Sequence, residues 1–138
     1  MRVNGFLLDT SALLTLRDDE PGADRVFELL QAAASGVYPC YGCFISLMEV
    51  YYRVWKDEGK EAGRSAYETC LDLPLIWIHE SPELLERAAE IKACFPLSLA
   101  DAWIAAAALE QDVPLVHKDP EFEKVQGLQQ EVLMYKQG

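Results

Sequence analysis

Phe6-Leu7-Leu8-Asp9-Thr10-Ser11-Ala12-Leu13-Leu14 is an apolar run stopped by three polar residues and resumed by helix-forming ones. It reads as strand, polar turn and short helix, with the strand expected over residues 3–8. The same alternation continues along the chain. Pro21 opens a segment in which Val26, Leu29, Leu30 and Ala33 recur at helical spacing, and Ser35-Gly36 closes it. A strand is expected at 37–45, then a helix capped by Ser46, then a second helix at 60–73 across Gly59. Residues 75–78 form a buried-strand pattern. Ser81-Pro82-Glu83 starts a helix whose inner face is expected to be Leu84, Leu85, Ala88, Ala89 and Ile91. A very apolar helix follows at 99–111, then a strand at 113–116, a turn at Lys118-Asp119 and a final strand at 132–134. Strands alternating with helices imply an α/β fold with a central, mainly parallel sheet covered on both faces. Right-handed crossovers then put every strand-to-helix turn at one edge, where ligands bind.

The 138 residues are 51% hydrophobic and 25% charged, the balance of a globular chain, and one domain spanning 1–138 is expected. The longest unbroken apolar run, 102–109, is far short of the ~20 residues a bilayer requires. Asp9 cuts the N-terminal apolar stretch too early for a signal peptide, so a cytoplasmic protein is expected. Charge is the less ordinary feature: 23 Asp and Glu against 12 Lys and Arg give a net −11. A polyanion is repelled at long range by such a chain, whereas a divalent cation or a basic protein is attracted.

Four acids stand in equivalent places, each just past an apolar strand or in the first turn of the following helix: Asp9, Glu49, Asp101 and Asp119. Each also has a local explanation. Ser46-Leu47-Met48-Glu49 and Ser98-Leu99-Ala100-Asp101 fit capping boxes, Asp9 fits a strand-end turn, and Asp119 fits a cap on a helix beginning at Pro120. Four unrelated caps need not share an edge of the sheet. Four carboxylates gathered there repel one another unless cations neutralise them. Oxygen-only ligands select Mg2+ or Mn2+ over Zn2+, and Mg2+ works with phosphate-bearing substrates. The implied chemistry is attack of a metal-activated water on a phosphodiester.

Leu8-Asp9-Thr10-Ser11-Ala12-Leu13, Ile45-Ser46-Leu47-Met48-Glu49-Val50, Leu97-Ser98-Leu99-Ala100-Asp101-Ala102 and Leu115-Val116-His117-Lys118-Asp119-Pro120-Glu121-Phe122 occur in this order. In these segments the chain resembles the PIN-domain ribonucleases, in particular the VapC-like toxins of toxin-antitoxin pairs. The resemblance implies a three-layer α/β/α fold and a Mg2+- or Mn2+-dependent endoribonuclease. It makes Asp9, Glu49, Asp101 and Asp119 the metal-binding catalytic quartet, with Asp9 and Asp101 as direct ligands. It also implies an RNA substrate, a homodimer and an antitoxin partner, and the acidic balance suits a basic one. Ser11 matches a small polar position beside the first aspartate, where its hydroxyl either supports a water or phosphate or caps the helix at Ala12. Two other functions share the acidic features: a protein-binding module with little turnover, and a metal-dependent phosphomonoesterase, for which no phosphate-cradling loop is visible.

Other signals carry less. Cys40 and Cys43 form a C-x-x-C pair, but Phe44-Ile45-Ser46 separate it from the expected helix start, and zinc would require two more ligands. Arg53, Lys56, Lys60 and Arg64, with Tyr51, Tyr52 and Trp55 interleaved, read as a solvated face, an RNA-binding patch or a partner groove. His117 is read as a strand-end residue without a role.

Overall fold

The computed structural model describes residues 4–133. Strands β1 (Phe6–Leu8), β2 (Cys40–Cys43), β3 (Ile76–Ile78), β4 (Leu115–His117) and β5 (Gln130–Val132) form one sheet in the order β3-β2-β1-β4-β5. Every neighbouring pair is parallel, with Leu8 opposite both Gly42 and Val116. Helices α1 (Thr10–Arg17), α2 (Ala23–Ala34), α3 (Phe44–Glu58), α4 (Lys60–Asp72), α5 (Pro82–Cys94) and α6 (Leu99–Gln111) connect the strands, and a 3-10 turn at Pro120–Lys124 follows β4.

Strand alternation divides the core into two. Leu7, Cys43 and Leu115 pack with Leu84, Ala88 and Ile91 of α5 and Ile104 of α6 on one side of the sheet. Phe6, Leu8, Cys40 and Val116 pack on the other with Leu13, Val26, Leu29, Val50, Val54 and Ala66 of α1 to α4. The result is the three-layer α/β/α arrangement. β1 lies at the centre, and all three of its residues are buried because both faces are covered. The apolar run 102–109 becomes α6, in which Ala102 and residues 104–108 are all buried.

Several boundaries differ from the sequence reading. The second strand is shorter than 37–45: Pro39 has no amide to donate, and Phe44 and Ile45 already belong to α3, whose N-cap is Cys43. Ser46 is therefore a buried residue of the first turn, not a cap, and the capping box with Glu49 does not form. In α5 only Leu84, Ala88 and Ile91 turn inward, while Leu85 is 46% exposed and Ala89 is also outside. Those three recur at helical spacing, and one helix face cannot hold the neighbouring positions as well. The last strand is Gln130–Val132, two residues earlier than expected, held by the pairing of Leu115 with Gln130. The outer ends of the first and last expected strands, residues 3 and 134, lie outside the described residues.

Cys40 and Cys43 sit three apart in β2 and so point to opposite faces, one into each core. They cannot bridge or share an ion. Burial pushes both thiols up to about 11, which makes them inert. Among the described residues no helix is long and apolar enough to cross a membrane.

Candidate active site

From β1 the chain builds outward to β2 and β3, then crosses back to place β4 and β5 on the other side of β1. The order of connection reverses between β1 and β4, and open α/β sheets form a crevice beyond the strand ends at such a point. Asp9 leaves β1 at this place and Asp119 lies two residues past β4. Asp101 is in the first turn of α6, and Glu49 is further along α3.

Asp9 is 3% exposed and is the N-cap of α1. Its Oδ1 accepts the Ala12 amide at 2.8 Å, and its own amide donates to the Val116 carbonyl at 3.1 Å. Burial pushes its carboxyl up to about 7; the Ser11 and Ala12 hydrogen bonds oppose that, and the Asp101 and Asp119 charges add to it. Asp101 is raised to about 6, first by burial and then by the charges of Asp119 and Glu49, and its carboxyl lies within hydrogen-bonding reach of that of Asp119. Asp101 and Asp119 thus act on Asp9, and Asp119 and Glu49 on Asp101. The caps are nonetheless real at Asp9 and at Asp119, whose Oδ1 accepts the Glu121 amide at 3.0 Å, while Ser98 Oγ accepts the Asp101 amide at 3.1 Å. A carboxylate has acceptor capacity for both tasks.

Ser11 is the second residue of α1, and of its two readings the cap is the one excluded, since Asp9 supplies it. Its hydroxyl lies 2.7 and 2.9 Å from the two Asp9 oxygens and accepts the Lys118 amide at 2.9 Å. It ties the turn after β1 to the turn after β4. Two further supports have no clear mark in the sequence. Buried Thr10 lies 2.6 Å from Glu49 Oε1 and 2.9 Å from Ser46 Oγ. A carboxylate only accepts, so the Thr10 proton goes to Glu49 and the serine hydroxyl supplies the other bond. His117 is also fully buried, with its Nδ1 3.0 Å from the Asp119 amide nitrogen and its Nε2 2.8 Å from Gln130 Oε1. Thr10 was visible only as the middle of Asp-Thr-Ser, and nothing marks Gln130.

The basic stretch does not form one surface. Arg53 lines a recess of about 260 Å3 with Ser11, Thr15 and Lys118. On the opposite side of α3, Tyr51 stacks on Tyr67 at 5.2 Å, and the Lys60 ammonium lies 5.5 Å from the centre of the Trp55 ring. Arg64 pairs with Glu68 at 2.9 Å. Arg53 thus shares a recess with Ser11, whose hydroxyl bonds Asp9.

The donor chemistry fits a hard divalent cation: carboxylate oxygens only, with Asp9 and Asp101 raised first by burial and further by neighbouring carboxylates. Among the described residues, no three or more His, Cys, Asp or Glu side chains stand close enough to hold an ion as placed. Ion binding therefore requires side chains of this cluster to draw inward.

The sequence profile of the PIN domain matches residues 6–128. No curated protein matches the sequence. Among solved structures, the promoter-DNA-bound VapBC2 of Rickettsia felis is similar at a TM-score of 0.74 and 20% identity, over 94% of this chain and 98% of that one. The DNA-bound VapBC of Salmonella typhimurium gives 0.74 and 22%, over 92% and 96%. VapC20 of Mycobacterium tuberculosis, a toxin that cleaves the sarcin-ricin loop, gives 0.67 and 17%, over 86% and 93%. At these identities the likeness establishes the fold.

Proposed function

The chain belongs to the PIN-domain family, a family of nucleases, and from that premise we propose that it is a Mg2+- or Mn2+-dependent endoribonuclease, the cytoplasmic toxin of a toxin-antitoxin pair. The observation that carries this reading is the placing of Asp9 at the reversal point of the sheet, with Asp9 and Asp101 both raised first by burial and then by neighbouring carboxylates. Like charges gathered around the buried Asp9 are relieved when a cation completes them. Asp9 and Asp101, with Glu49 and Asp119, hold the ion, which when bound supplies Lewis-acid activation of water and stabilises the leaving oxygen of the phosphodiester.

The remaining work is done by the chain's own groups. The Ala12 amide and Ser11 hydroxyl orient Asp9, and Thr10 orients Glu49. Arg53, in the recess it shares with Ser11 and Lys118, supplies a positive charge for a neighbouring phosphate of the RNA backbone. Setting aside the four acids of the site leaves a net −7, so RNA binding is local and salt-sensitive. In this reading the same excess recruits a basic antitoxin. The exposed stripe of Met48, Tyr52 and Trp55 along α3 offers an apolar surface for protein association, including a homodimer.

Purified protein is expected to cleave RNA internally with Mg2+ or Mn2+ and to stop when EDTA is added, with Asp101→Asn inactive under all conditions. Equal cleavage by wild type and Asp101→Asn would remove this site from consideration. Metal binding without any turnover would favour a protein-binding module, and turnover of small phosphomonoesters without RNA cleavage a phosphomonoesterase. Affinity for the basic partner is expected to weaken at least about tenfold between low and high salt, because screening shortens the reach of the acidic surface. Titration calorimetry at two salt concentrations measures it, and a salt-independent Kd would rule out charge as the attraction.

A further inference from the structure

The turn that carries Asp119 is gripped by a buried side chain outside the acidic cluster. A backbone amide only donates, so His117 Nδ1 accepts the Asp119 N–H at 3.0 Å and the neutral ring carries its proton on Nε2. That proton goes to Gln130 Oε1 at 2.8 Å, and Gln130 Nε2 donates to the Phe122 carbonyl at 2.9 Å. One chain of hydrogen bonds thus runs from Asp119 through His117 and Gln130 to the far end of the same turn. On the near flank, the Lys118 amide donates to Ser11 Oγ. Asp119 Oδ1 is itself engaged by the Glu121 amide, so the carboxylate cannot be re-aimed without moving the turn.

Resting on the reading of Asp119 as an ion-binding carboxylate, we propose that His117, backed by Gln130, is a positioning residue that sets the direction of Asp119 through its backbone amide. Both imidazole nitrogens are used and the ring is packed against Phe122 at 5.0 Å between centres, so the acceptor is fixed in place before any ion arrives. A side chain that cannot accept at this point leaves the Asp119 amide unpartnered and the turn free to shift. The ion then loses one correctly aimed oxygen, while the core beneath the sheet is largely intact.

The test is Mn2+ affinity, read from the paramagnetic resonance of the free ion, for wild type, His117→Gln, His117→Asn, Gln130→Met and Asp119→Asn. Tm in EDTA and hydrogen exchange of the Asp119 amide are measured alongside. Asparagine places an oxygen about where Nδ1 stands, whereas glutamine reaches the Gln130 side but offers Asp119 no acceptor there. His117→Gln is expected to weaken Mn2+ binding about 10–100-fold and to speed exchange at Asp119, with His117→Asn within about threefold of wild type and Gln130→Met between them. Wild-type affinity in folded His117→Gln, or equal losses in the asparagine and glutamine variants, would overturn the proposal. Should His117→Gln fail to fold, Gln130→Met decides: a reduced affinity at wild-type Tm supports positioning, and an unchanged affinity ends it. Asp119→Asn separates the two levels. If it binds Mn2+ as wild type does, Asp119 is not a ligand and the positioning proposal falls with it; if it binds weakly while His117→Gln binds tightly, only positioning is lost.

Discussion

Asp9→Asn is expected to lower RNA cleavage on the order of 10³-fold, since several kcal/mol of metal-derived stabilisation depend on that carboxylate. The same substitution is expected to make the metal-free protein harder to melt at neutral pH. The sign follows from the carboxyl's elevation from 3.8 to about 7, caused first by burial and then reinforced by Asp101 and Asp119. A group raised in the folded state favours folding when protonated, so its contribution is complete below about pH 4 and is lost as pH rises through about 7. Asparagine is neutral throughout and keeps an oxygen for the Ala12 amide.

The advantage of Asp9→Asn should therefore be absent near pH 4 and reach on the order of 2 kcal/mol by pH 8, or roughly 8 °C in Tm. Mn2+ should close the gap by raising the Tm of wild type alone. Thermal melts in EDTA and in Mn2+ at the two pH values measure all of this. A variant less stable than wild type at pH 8 would show that Asp9 is worth more as a charged N-cap than it costs as a buried charge. Function would then be no burden on this fold.

Phe122→Ala is expected to carry the largest stability loss. The ring is completely buried, lies 5.0 Å from the His117 ring and belongs to the core shared with Leu115 and Ile104. Removing it leaves a cavity under a short turn, at a cost of about 3–5 kcal/mol. In a chain of this size that lowers Tm by roughly 10–20 °C. Phe122→Leu fills most of the space and should lose much less. Because the Phe122 amide and carbonyl hold the two ends of the Asp119 turn, the alanine variant should also bind Mn2+ more weakly at temperatures where it is still folded. A Tm change under a few degrees would mean that the turn collapses onto the gap without harm.

Periodicity and punctuation revealed much of the architecture. Ser81 and Ser98 stand at the starts of the helices expected to begin there, and each expected strand region overlaps an observed strand. Reading failed where one residue had two possible partners. Ser46 looked like a cap because its neighbours have the spacing of one, yet its hydroxyl is buried against Thr10. Leu85 looked like core because it is apolar, yet the helix turns it outward. His117 was dismissed as a strand-end residue, and its two partners are a backbone amide and a glutamine 13 positions away.

By itself the sequence determined the succession of strands and helices and the recurrence of an acid beyond apolar segments, because both are written within a few consecutive residues. Only the tertiary structure decided which acids meet. The crevice exists because β1 pairs with β4, bringing Ser11 to Lys118 from 107 positions away. Hydrogen bonds and desolvation depend on distance in space, and at Asp9 they turn an ordinary N-cap into a carboxyl whose charge the fold resists.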